Sequence, residues 1–180
     1  QHCQFLLTVN GIWNSREGAE NLLGEWRAGL SDLGSIPNVG YVHNPTTYLT
    51  DFIQIGFLEL GAIGIPSQTT ADYIRRAYNQ AKKDCCKCTD IYVVAHSQGA
   101  AVLNQALPLL STEIKKTLRI LTIGAEQYVR GGSPEFGFVA NVNSGHDLVP
   151  DLSPRNRFYS EMQVPRDDVP GHPHAHYRRY

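Results

Sequence analysis

The chain alternates short, almost unbroken apolar runs with longer segments whose apolar residues recur every three or four positions. The runs are FLLTV at 5–9, stopped by Asn10-Gly11, residues 39–42, closed by HNPT, then IYVVA at 91–95, LRILTIG at 118–124 and FGFVANV at 136–142. Nearly continuous apolar runs of this length predict strands buried on both faces. Between them, Ala19, Leu22, Leu23, Trp26 and Leu30 share one face of a helix predicted over 17–30. A second helix is predicted over 69–83, with Thr70 and Asp72 as capping groups and Ala71, Ile74, Ala77, Tyr78 and Ala81 along one side. A third, over 99–110, follows IYVVA after a very short turn. Strands alternating with helices predict an α/β fold, a mostly parallel sheet flanked by helices on both faces.

The stretch 52–65, FIQIGFLELGAIGI, is apolar, contains glycine and is bounded by Pro66. It reads as a buried core helix, with a lid facing an apolar ligand as the functional alternative. At 180 residues the chain suits one domain, 1–180, with a sizeable core. It does not begin with Met, so an excised or processed piece of a longer chain is expected. No apolar run reaches the roughly 18 residues of a membrane span, and the start lacks the charged and apolar regions of a signal peptide. The compartment stays open, a secreted effector being one option. A net charge of -1 offers no basic field for phosphates, which argues against a nucleic-acid partner.

Cys85, Cys86 and Cys88 cluster in DCCKCTD, with Cys3 remote. The spacing is not that of paired CxxC knuckles and no histidine is close by, so the expectation is a polar turn, with no metal and no cofactor.

The segment IYVVAHSQGAAVLNQAL carries the sharpest chemistry. Most serines are surface or helix-capping groups. Ser97, however, stands where a strand must turn at once into a helix, with small residues, Ala95 and Gly99, two positions to either side. That is the G-x-S-x-G nucleophile elbow with alanine in the first glycine position, in the strand-then-helix context the motif requires. The helix N-terminus brings partial positive charge to the serine, and the Gln98 N–H can point at a developing oxyanion.

With these residues the chain resembles the lipase and esterase branch of the α/β-hydrolase superfamily over most of its length. TVNGIWN resembles the strand-end loop that supplies the second oxyanion donor there, with Asn10-Gly11 in place of His-Gly; the matching donor is the Ile12 N–H. HNPT at 43–46 and NSGHDLVPDLSP at 143–154 also resemble lipase segments. The resemblance implies a serine, then an acid, then a histidine in chain order. Asp147, shortly after the FVANV strand, is the favoured acid, with Asp151 as runner-up and Asp167 and Asp168 assigned to a solvated loop. The base is sought in PGHPHAHYRRY: His172, beside Gly171 and Pro173, leads, with His174 and His176 as alternatives. His96 and His146 read as structural.

The implied function is cleavage of carboxylic esters, lipase- or phospholipase-like, through a Ser-His-Asp triad and an acyl-enzyme, with a lipid or other ester as substrate and peripheral membrane contact. A short-chain esterase or thioesterase would use the same machinery. From a different class, a catalytically silent hydrolase fold serving as an interaction module also fits. The oligomeric state is open.

Overall fold

A computed structural model of the protein describes residues 2–10, 16–29, 38–42, 64–84, 88–130, 135–144, 156 and 162–164. Chain order runs β1 (His2–Val9), α1 (Arg16–Gly29), β2 (Asn38–Val42), α2 (Ile65–Asp84), β3 (Cys88–His96) and α3 (Gln98–Ala106). A 3₁₀ turn (Leu107–Leu109), α4 (Thr112–Lys115), β4 (Leu118–Ile123), β5 (Phe138–Ser144) and β6 (Met162–Val164) follow. The strands form one six-stranded sheet of order β2-β1-β3-β4-β5-β6, and every neighbouring pair is parallel.

Side chains alternate across each strand, so the apolar runs serve two cores. Leu7, Val9, Ile91, Val93, Ala95, Leu118 and Ile120 face a core built with Ala71 and Ile74 of α2 and with Ala100, Ala101, Val102 and Leu103 of α3. Leu6, Val94 and Ile123 face the other way, onto Leu23 and Trp26 of α1. Continuous hydrophobicity is what a sheet covered on both faces requires, and this is the α/β arrangement the sequence predicts.

Several boundaries shift for local reasons. α2 begins four residues before the expected start because Pro66 stands in its first turn, where a missing N–H costs nothing. Thr70 is therefore inside the helix and not at its cap: its hydroxyl donates to the Pro66 carbonyl at 2.8 Å. Asp72 pairs with Arg75 on the surface instead of capping. α3 gives way to a 3₁₀ turn at Pro108, which has no N–H to continue the ladder. The short α4 and the three-residue β6 are not evident in the hydrophobic pattern. Of the 52–65 stretch, Ile65 opens α2 and 52–63 lie outside the described residues, as do Cys85 and Cys86. None of the described helices is long and apolar enough to cross a membrane.

Because α2 carries so much of the first core, its buried face sets stability. Ile74→Ala, at a side chain fully removed from solvent, should cost about 2–5 kcal/mol in urea denaturation. Asn79→Ala, on the exposed face, should stay within about 0.5 kcal/mol.

Candidate active site

In an open parallel sheet the strand order reverses direction once, and the carboxyl ends of the two strands flanking that point leave a crevice. Here β1 leads outward to β2, and the chain then returns to lay β3 on the other side of β1. The reversal lies between β1 and β3, and Ser97 is the residue that follows β3. α3 starts at the next residue, Gln98.

Ser97 occupies the N-cap position of α3 but does not behave as a cap. Its φ and ψ are 57° and -130°, and its side chain makes no capping hydrogen bond. Ser111, at the head of α4, shows the ordinary alternative: an extended backbone and a hydroxyl that accepts from the Ile114 N–H. Among the described residues Ser97 is the non-glycine residue with positive φ. Such a conformation costs about 1–3 kcal/mol and persists where its surroundings over-determine it.

Those surroundings are identifiable. The Ser97 N–H donates to the Ile123 carbonyl at 3.0 Å, and the Ser97 carbonyl accepts from the N–H groups of Ala100 at 3.1 Å and Glu126 at 3.2 Å. Close packing does the rest. A Cβ placed on Gly99 would stand 2.2 Å from the Val9 carbonyl oxygen and 2.9 Å from that of Asn10, so the helix start lies directly against the end of β1. Ala95, in register with Val9, is fully buried in the same contact. The glycine two residues after the serine is thus required by backbone approach.

Ser97 is 5% exposed and Gln98 1%, so the turn sits within the protein at the sheet edge rather than on a free surface. The described part of the first strand-end loop is Asn10, buried beside α3. Gly11 and Ile12 lie outside the described residues, as do Asp147, Asp151, Asp167, Asp168, His146, His172, His174 and His176. β5 ends at Ser144, on the same edge of the parallel sheet as Ser97. His96 closes β3 in register with Ile123. A cavity of about 470 Å³ between α2 and the β1–β2 edge is lined by Phe5, Leu7, Val39, Tyr73 and Ile74, among others, and by no residue of the turn.

Trichoderma reesei cutinase, solved in complex with a C11Y4 phosphonate inhibitor, superposes on 83% of the chain with a TM-score of 0.59 at 18% identity. The fold is that of an α/β-hydrolase. A looser likeness, TM-score 0.45 and 13% identity over 68% of the chain, is to the phospholipase PlaB from Legionella pneumophila in complex with thio-NAD. The chain spans 64% of the cutinase and 25% of the phospholipase. No protein-family model matches the sequence, and no curated protein matches it either.

The sequence singled out Ser97 and the small residues around it, but not the loop whose Glu126 N–H holds the Ser97 carbonyl. That loop, 124–130, packs its backbone against three asparagine side chains. Asn141 donates to the Val129 carbonyl at 2.8 Å and accepts from the Val129 N–H at 3.0 Å, while also accepting from the Thr122 hydroxyl at 2.7 Å. Asn104 donates to the carbonyls of Gln127 and Tyr128. Asn156 donates to Ala125 and Glu126 and accepts from Tyr128. An NxN pair in FVANVN is a visible polar interruption of an apolar strand, and this is the one signal that could have marked Asn141.

Gly99→Ala tests the close approach. Its new methyl group meets backbone on both β1 and the following loop, so a loss of at least about 1–3 kcal/mol in urea denaturation is expected.

Proposed function

We propose that the protein is a serine hydrolase of carboxylic esters in which Ser97 is the nucleophile. The observation that carries the reading is the Ser97 backbone: a strained, non-capping serine between a strand and a helix, at the point where the sheet order reverses. A cap or a packing serine has no need of that conformation, whereas a nucleophile gains from it a hydroxyl held clear of its own helix. The similarity in fold to a cutinase supports an ester as substrate.

In this mechanism the Ser97 hydroxyl oxygen attacks the ester carbonyl while its proton passes to an imidazole nitrogen of His172, or of His174 or His176. Asp147 holds the ring in the required tautomer and stabilises the imidazolium. Its support is chain order, and the end of β5 at the edge that Ser97 occupies. The carbonyl oxygen, now an oxyanion, accepts hydrogen bonds from the Gln98 and Ile12 N–H groups, each worth about 3 kcal/mol in the transition state. Collapse expels the alkoxide, which takes the proton back from the imidazolium and leaves an acyl-Ser97. Water, deprotonated by the same imidazole, then adds to the acyl carbon; the bond to Ser97 breaks, the serine oxygen takes the proton back from the imidazolium, and the acid leaves. No cofactor enters this chemistry.

The substrate reading favours an ester with an acyl chain, extending to lipids and phospholipids and to peripheral contact with a membrane. Ile65, 79% exposed, opens α2 beyond the apolar 52–63 stretch. α2 reaches the start of β3 through a three-residue link, so its head lies toward the carboxyl edge of the sheet. Short-chain esterase and thioesterase activities are the neighbouring readings, and a silent interaction module is the contrary one.

A fluorophosphonate probe should label the wild-type protein on Ser97 and leave Ser97→Ala unlabelled, with hydrolysis of p-nitrophenyl esters falling by about 10⁴-fold or more. Labelling of Ser97→Ala at the wild-type rate, or no labelling of either protein, sinks the reading. A series of p-nitrophenyl esters of rising chain length should show kcat/KM increasing with chain length; a maximum at acetate would assign a short-chain esterase instead. Replacing His172, His174 and His176 by alanine one at a time should reduce labelling about a thousandfold in one variant, His172→Ala, and little in the others.

A further inference from the structure

The Ser97–Gln98 peptide is planar, so its carbonyl and its N–H point in opposite directions. Whatever fixes the Ser97 carbonyl therefore aims the Gln98 N–H. Two donors fix it, the Ala100 and Glu126 N–H groups. Ala100 belongs to α3 and comes with the helix, but Glu126 belongs to a loop without regular structure, whose position must be set by something else.

Asn156 sets it. Its side-chain N–H₂ donates to the Glu126 carbonyl at 2.9 Å and to the Ala125 carbonyl at 3.3 Å, and its side-chain oxygen accepts from the Tyr128 N–H at 2.6 Å. It is 8% exposed, so water does not compete freely for these bonds. Asn104, from α3 itself, holds the same loop at Gln127 and Tyr128, which ties the loop to the helix at a second point. We propose that Asn156 is a positioning residue for ester hydrolysis, which grips the peptide of Glu126 so that the Glu126 N–H holds the Ser97 carbonyl and the Gln98 N–H is aimed at the oxyanion.

This inference rests on Ser97 being the nucleophile and adds a residue that touches neither substrate nor reacting atoms. The consequence is specific. Loss of the grip should slow the chemical step and leave substrate binding alone, because the oxyanion forms only after attack.

The test uses Asn156→Asp, which keeps the acceptor and loses both donors, and Asn156→Ala, which loses all three bonds. Each is titrated with a fluorophosphonate to count active sites and assayed with p-nitrophenyl acetate and butyrate. Both should titrate to one label per chain, as the wild type does, but label about tenfold to a hundredfold more slowly. kcat per titrated site should fall by the same factor for both esters, with KM within about twofold of wild type. A wild-type rate per titrated site, with or without a lower number of sites, overturns the proposal, since that is the behaviour of a merely structural residue. Hydrogen exchange on the wild-type protein tests it independently of how the variants fold: the Glu126 amide should be protected as strongly as those of α3, and exchange at the rate of an open loop overturns it. If the wild type takes no label on Ser97, the reading of Ser97 fails first and is distinguished by that result.

Discussion

The site depends on one peptide, between Ser97 and Gln98, held in a conformation its own residues do not favour. Left free, a serine at positive φ relaxes to an extended cap of the kind Ser111 adopts. It is kept from doing so by hydrogen bonds at both of its backbone polar groups and by a helix start with no room to retreat, since the Gly99 backbone already rests against the carbonyls of Val9 and Asn10. The strain is maintained by folding energy from the rest of the domain, in particular from the cores that clamp β1, β3 and β4 together.

Sheet order explains why that peptide lies where it does. β1 and β3 are neighbours paired along eight residues, yet the chain leaves them toward opposite sides of the sheet. At such a reversal an open parallel sheet leaves room at the carboxyl ends of its strands, and here the start of α3 rests against the end of β1. The small residues Ala100 and Ala101, both fully buried, let α3 pack close onto the sheet, with its N-terminus at the carboxyl edge where Ser97 stands. Partial positive charge from the first helical turn is thereby concentrated at the serine.

On the far side of Ser97 the structure uses polar side chains where a helix or strand would ordinarily satisfy the backbone. The 124–130 loop is almost wholly buried, and a buried backbone group without a partner costs about 1–3 kcal/mol. Asn104, Asn141 and Asn156 supply those partners from three different parts of the chain. Their bonds bind the loop to α3, to β5 and to the region beyond β5 at once. A loop fixed in this way has one conformation, which is what a hydrogen bond to the Ser97 carbonyl needs if it is to set an angle rather than merely fill a valence.

The sequence by itself determined the parts that are local. Strand and helix identities followed from apolar runs and three-to-four-residue spacing. The serine turn followed from Ser97 standing between Ala95 and Gly99, because close approach of backbone admits few residue types. Boundaries that depended on one proline, at 66 and 108, were only partly legible, and the short α4 and β6 carried too few residues for a period to show. Only the tertiary structure decided the strand order, the strained Ser97 backbone and the asparagine grip on the 124–130 loop. These arise from hydrogen bonds and contacts between residues far apart in the chain, which impose no repeating pattern on the sequence and become visible when the sheet has brought the segments together.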